Sequence, residues 1–357
     1  MPQLAVEMKN TTKMFGRTVA VMDFSLEVEK GSFVTLLGPS GCGKTTSLRM
    51  IAGFYDPDSG EVYIGGKLVN GIPPFKRNTA MVFQDYALFP HMSVFENIAY
   101  GLKIRKLPKK EIEKKVKDAL ALVNLQGYED RSPMQLSGGE QQRVALSRAL
   151  IIEPEVLLFD EPLSNLDAKL RLGMRREIRE LQRKLKISAV YVTHDQEEAL
   201  SISDKVAVMN KGLKMQEGPP QEIYFKPKNR FVAEFIGMRN FIEGEVIDVT
   251  KEEMSIDIGV GEPLWLYPDP AFNVGDKATV TCRSESIVIS KNRPKDRINV
   301  LKGGVESTSF LGSNIQYFIN TNGIEWLATI SDPDPEHVFE GDVYLILDKS
   351  KLHAMKP

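Results

Sequence analysis

Cysteine is scarce: the 357 residues contain two, Cys42 and Cys282, far apart in the chain. Cys42 lies inside a glycine-rich stretch that a disulfide would distort, so a reducing compartment is the simpler reading. Long apolar runs are lacking too. No run approaches the ~20 residues that a spanning helix needs, so action at a membrane calls for another chain to supply the span. The opening Met1-Pro2-Gln3-Leu4-Ala5 has no basic segment followed by an apolar one, which argues against a secretory signal. A surplus of one charge is also missing, since 46 Lys and Arg against 48 Asp and Glu leave a net charge of -2. That balance does not suit a surface given over to nucleic acid. What remains is an ordinary globular composition, long enough for two domains.

What is there begins with Gly38-Pro39-Ser40-Gly41-Cys42-Gly43-Lys44-Thr45, which fits G-x-x-x-x-G-K-[ST], the phosphate-binding loop. Its context is right. Phe33–Leu37 reads as a buried strand, and Thr46 to Ala52 places Leu48, Ile51 and Ala52 at helical spacing. Glycines let successive backbone N–H groups turn toward phosphate oxygens, and the helix N-terminus adds its positive dipole end. Lys44 is expected at the β- and γ-phosphates and the Thr45 hydroxyl on Mg²⁺.

A second strand, Glu155–Phe159, ends in Asp160 and Glu161. A phosphate loop needs such an acid to hold Mg²⁺, and a second carboxylate beside the γ-phosphate can activate water. Other candidates are weaker on spacing alone. Residues 4–30 alternate as a half-exposed sheet with Phe15 at its turn, placed either to stack on a base or to pack on its neighbours. Gln84 follows the strand Ala80–Phe83, and His194 follows Ala189–Thr193, both at strand ends where ligands gather. Tyr86–Met92 is apolar without period, so it reads equally as buried or as a docking patch, and its His91 as structural. Ile112, Val116, Leu120 and Val123 mark an amphipathic helix whose basic face is either solvated or a contact for anionic lipid. Ser137 and Glu140 form a capping box before a helix to about Ile151, which is either a bare anion site or simply a well-capped start. The helix Ala168–Leu185, the strand Lys205–Asn210 and a short helix at Pro219-Pro220 follow. From Asn240 many short strands between glycine turns predict a small all-β barrel domain with no catalytic grouping.

In this order the motifs resemble the ATP-hydrolysing subunit of ATP-binding cassette (ABC) transporters, over about residues 4–240. Leu136-Ser137-Gly138-Gly139-Glu140 is similar to that family's signature, whose commonest last residue is Gln. The resemblance implies an α/β P-loop NTPase over 1–236: a RecA-like core, an antiparallel β subdomain and a helical subdomain at about 88–152. Residues 237–357 resemble a TOBE, OB-like regulatory β domain, with Arg283-Ser284-Glu285 where relatives often have Arg-Pro-Glu. It further implies that Phe15 stacks on adenine and that Gly38 to Thr46 (Gly38, Pro39, Ser40, Gly41, Cys42, Gly43, Lys44, Thr45, Thr46) hold the phosphates. Ser137, Gly138, Gly139 and the D-loop Asp167 complete the site. Thr45, Gln84 and Asp160 are implied for Mg²⁺, Glu161 as general base, and Gln84, Lys44 and His194 as further catalytic groups.

The implied assembly is a homodimer with each ATP between the loop of one copy and the signature of the other. It would sit at the cytoplasmic face of the membrane, on permease subunits docked near Tyr86–Met92, and serve an extracytoplasmic solute-binding protein indirectly. No nucleic acid is expected. Soluble ABC ATPases of nucleic acid or the ribosome usually carry two cassettes or a coiled-coil insertion, and this chain has neither. The cargo need not touch this subunit: a polyamine or other small organic solute is the first expectation, with sugar, iron or phosphonate import as the alternatives.

Overall fold

The computed structural model describes residues 3–295, 297–334 and 338–356. Strands β1 (Leu4–Phe15) and β2 (Thr18–Glu29) make a hairpin around Gly16. Strand β3 (Phe33–Leu37) leads through the glycine loop into helix α1 (Lys44–Ala52). Strands β4 (Ser59–Ile64), β5 (Lys67–Leu68) and β6 (Thr79–Val82) follow, then helices α2 (Val94–Ile104), α3 (Lys109–Leu122) and α4 (Gly138–Leu150). The remainder of the first unit is β7 (Val156–Asp160), α5 (Ala168–Leu185), β8 (Ser188–Thr193), α6 (Gln196–Ile202), β9 (Lys205–Asn210) and β10 (Leu213–Gly218).

Two sheets divide these strands. One is antiparallel in the order β2-β1-β4-β5; the other runs β10-β9-β3-β8-β7-β6, with β6, β7, β8, β3 and β9 parallel. Strands β3, β7 and β8 are buried at every residue, as largely apolar parallel strands covered on both faces must be. One apolar core lies around α1 and the antiparallel sheet, through Met8, Phe24, Leu26, Leu48 and Ile51. A second, on the α4–α5 side, stacks Phe33, Phe159 and Tyr191. Helices α2, α3 and α4 share a core of their own through Ile98, Leu102, Val116, Leu120 and Val144. Helix α2 is not among the elements expected from sequence. Its Ser93 and Glu96 form a reciprocal capping box, and buried Asn97 donates to the carbonyls of Phe89, Met92 and Ser93.

The chain divides into two compact units, 1–223 and 224–357. The division precedes the change of texture at Gly237, because two short helices join it: α7 (Pro220–Phe225) spans the boundary and α8 (Arg230–Phe235) lies wholly in the second unit. Arg283 donates to the carbonyls of Tyr224 and Ile236 and stacks on the Tyr224 ring, so this segment is tied to the β structure that follows it. Among the described residues, ten strands form two five-stranded antiparallel sheets over a core containing Val246, Val280, Tyr317 and Trp326. Sequence patterning predicts strands at 242–249, 254–258, 277–282, 287–289, 300–307, 315–319 and 343–347; Leu264–Leu266, Ile324–Ser331 and His353–Met355 go beyond them. Among the described residues no helix is long and apolar enough to cross a membrane.

Candidate functional site

Four strand ends of the parallel sheet share one edge. The register pairs Val82 with Phe159, Asp160 with Val192, and Leu37 with Thr193. Gln84, Asp160-Glu161, His194 and the glycine loop therefore all leave the sheet on the side where ligands of open α/β sheets collect. The loop needs its glycines. A Cβ on Gly38 would lie 2.3 Å from the Met209 carbonyl oxygen, and Gly43, at φ 106°, would put one 2.4 Å from that of Ala20. Lys44 is buried, and its Nζ donates to the carbonyls of Gly38 and Pro39 at 2.8 and 2.9 Å. Its ammonium is thus held across the loop next to the N-terminus of α1.

Thr45 Oγ1 donates to Asp160 Oδ1 at 2.9 Å, and Arg49 lies 3.7 Å from the other carboxylate oxygen. Burial pushes the Asp160 carboxyl up, against the pull of Thr45 and Arg49. Thr45 and Asp160 are both hard oxygen donors. Among the described residues no cluster of three His, Cys, Asp or Glu could hold a metal alone. This donor set fits Mg²⁺, which usually takes one or two protein oxygens and completes its shell with phosphate and water.

Glu161 stands in the left-handed region at φ 45°, fixed by its N–H donating to Val192 O at 3.1 Å. This turn aims its carboxylate at His194, with Oε2 2.9 Å from Nδ1. Gln84 is exposed, and its backbone carbonyl accepts from Asn165 Nδ2 at 2.9 Å. After it Tyr86 and Ala87 also have positive φ, at 60° and 45°, and the Arg148 guanidinium donates to both their carbonyls. Phe15 is 45% exposed, edge-on to Tyr55.

The signature turn opens helix α4 and packs beside the loop that follows Glu161. Among the described residues no hydrogen bond joins Ser137–Gly139 to residues 38–46. Ser137 caps α4, and the Glu140 side chain returns to the Ser137 N–H and hydroxyl at 2.8 Å each while accepting from Tyr128 Oη. Those bonds, the Ser137 N–H first, hold the Glu140 carboxyl below its ordinary range. The glycines admit neighbours: a Cβ on Gly138 or Gly139 would meet Leu166 or Leu170 at 3.1 and 3.2 Å. Asp167 caps α5 by accepting from Leu170 N–H.

The expected docking patch needs one correction. Tyr86 is only 5% exposed, drawn into the α4–β7 core, and so leaves the patch. Ala87, Pro90 and His91 are exposed, and Phe89 packs tilted against Tyr100 with ring centroids 4.8 Å apart. Sequence reasoning missed Asn97 and Arg148, which hold this turn, and the charged residues behind His194. The spacing of Ser93 and Glu96, a capping box in the structure, is the signal that could have marked the helix start nearby.

A family model described as ABC transporter matches residues 21–164. The spermidine/putrescine import ATP-binding protein PotA of Clostridium novyi is 48% identical over 328 residues, 92% of each chain. Its counterpart in Acetivibrio thermocellus is 48% identical over 355 residues, 99% of this chain and 97% of that one. The Fe(3+) ions import ATP-binding protein FbpC of Fusobacterium nucleatum is 42% identical over 352 residues, covering 98% and 92%. Among solved structures, cbiO1 from Clostridium perfringens, part of the ABC transporter complex cbiONQ, matches with a TM-score of 0.59 and 28% identity. That match covers 63% of this chain and 92% of cbiO1.

Proposed function

The chain belongs to the ABC transporter family as the ATP-hydrolysing subunit of an importer, and from that membership we propose how its residues divide the work. It binds ATP and powers import through permease subunits. In our reading two identical copies pair head to tail. The Gly38–Thr46 loop of one cradles the phosphates, Phe15 lies against the adenine, and Ser137–Gly139 of the other closes over the γ-phosphate, with Asp167 at the seam. The observation that carries this reading is the convergence on one sheet edge: Lys44 across the glycine loop, Thr45 on Asp160, and His194 on Glu161. Among the described residues the signature turn makes no hydrogen bond to residues 38–46, which supports its being offered to another molecule.

Thr45 and Asp160 would hold Mg²⁺ with help from Gln84, and the ion would supply charge neutralisation at the β- and γ-phosphate oxygens. Glu161 is the base that accepts a proton from the attacking water. His194 keeps its carboxylate turned toward the site. Closure of the pair is then biased by ATP and released by hydrolysis, because only the triphosphate offers a group to both copies. Permease subunits are proposed to dock at residues 87–92, placing the subunit at the cytoplasmic face of a membrane, with an extracytoplasmic binding protein delivering the solute.

The test is Glu161→Gln. Turnover should fall by about 10²–10⁴-fold with ATP binding retained. Size exclusion with ATP should show a dimer that a second change, Ser137→Arg, abolishes. Near-normal turnover removes Glu161 from the base role, and a dimer that survives Ser137→Arg removes the shared site. For the solute we propose a polyamine-type organic cation, on the PotA relatives at 48% identity. The iron-import relatives at 42% and 46% support the second reading. Spermidine uptake lost on deleting the gene supports the first; iron uptake lost alone supports the second.

A further inference from the structure

Behind the His194–Glu161 pair runs a closed circuit of contacts. The Ser164 hydroxyl donates to the Glu161 carbonyl at 2.9 Å, beginning the 164–167 loop. Two residues on, the Leu166 carbonyl accepts from Arg171 Nη2 at 3.1 Å. The other arm of that guanidinium, Nη1, donates to Asp195 Oδ2 at 3.3 Å. Asp195 follows His194, whose Nδ1 returns to Glu161 at 2.9 Å. The Asp195 backbone is itself fixed, its N–H donating to Thr193 Oγ1 at 3.0 Å, while that hydroxyl donates to the buried Glu198 carboxylate at 2.7 Å.

Among the described residues, Arg171 alone spans the two halves of this circuit. Its neighbour Arg175 also reaches Asp195 Oδ2, at 3.2 Å, but its other arm goes to Glu197, away from the loop. A planar fork with separately directed donors can bridge a carbonyl and a carboxylate; a single ammonium cannot match both directions.

We propose that Arg171 is a positioning residue for hydrolysis: by joining the Leu166 carbonyl to Asp195 it makes the 164–167 loop and His194 one rigid unit around Glu161. This rests on the base role given above to Glu161. Where a carboxylate must meet a water within hydrogen-bond reach, the reference frame of the base matters as much as the base. A displacement of about 1 Å costs up to 10²-fold in rate. The same link makes the loop that carries Asp167, placed at the seam between copies, move with the histidine of its own copy.

The test is steady-state ATP hydrolysis by the full chain. Arg171→Gln keeps Asp195 paired through Arg175, so the fold is retained while the bridge is lost together with the 4.0 Å approach of Nε to Glu198, which Arg175 also makes. It should lower kcat by about tenfold or more and leave KM for ATP within about twofold, the pattern of lost transition-state positioning. Arg171→Lys, which restores one of the two arms, should fall between. Asp195→Asn keeps the cap of α6 while weakening the bridge, and should repeat the kcat-only loss, which covers the case of an Arg171 variant that fails to fold. In a His194→Ala background, Arg171→Gln should cost less than about twofold more, since the two act as a unit. A kcat within about twofold of wild type for Arg171→Gln, or a full multiplicative loss on top of His194→Ala, overturns the proposal. A wild-type kcat for Glu161→Gln instead overturns the reading beneath it.

Discussion

At the scale of the residue, the site is built by giving single side chains constrained backbones and second partners. Glu161 occupies a left-handed conformation that costs a non-glycine residue about 1–2 kcal/mol. Glu161→Gly should therefore leave the protein at least as heat-stable as wild type while ending turnover. A drop of several degrees in a thermal melt would show that the carboxylate serves the fold. The phosphate loop was legible in sequence because its chemistry and its spacing are the same fact: only glycine fits at Gly38 and Gly43, and the lysine must follow at once. Arg171 was not legible. On a helix rich in Arg and Glu it reads like any solvated charge, and only the chain returning at His194-Asp195 gives it a target.

Elements carry the next layer. The start of α4 depends on Glu140, whose ionised carboxylate accepts from the Ser137 N–H. Its folded titration lies below that of a free glutamate. The stabilisation is therefore present at pH values above the ordinary glutamate range and is lost as the pH falls through the folded value. Glu140→Gln keeps an acceptor oxygen without the charge. Its melting temperature should fall less steeply than wild type between neutral and acidic pH, and identical slopes would remove Glu140 as a contributor. The turn before α2 depends on Asn97, fully buried and bonded to Phe89, Met92 and Ser93. Asn97→Ala strands those backbone groups and should cost about 2–4 kcal/mol in a denaturant titration. A loss under about 0.5 kcal/mol would mean the turn holds itself. The helix itself escaped sequence reading because the polar Asn97 interrupts its apolar face. The strands Leu264–Leu266 and His353–Met355 are too short for any alternation to register.

For the whole molecule, motif order was enough to foresee a nucleotide-binding unit ahead of an all-β one, since strand ends and glycine loops recur in sequence as they do in space. The point of division was not foreseeable from texture. Residues 224–236 look like a helical continuation of what precedes them, yet Arg283, 47 and 59 residues beyond Ile236 and Tyr224, takes both their carbonyls. Residues 224–357 expressed alone should therefore be more stable than 237–357, by about 2–3 kcal/mol in a denaturant titration, for the charged hydrogen bonds lost. Equal stability would make the Arg283 contacts incidental. Engineers who splice this polypeptide to a cousin inherit the same constraint. A seam cut just ahead of Tyr224 hands the latch and its keeper to the same parent, whereas one cut at Gly237 leaves them in different hands, joined only as well as two lineages happen to agree.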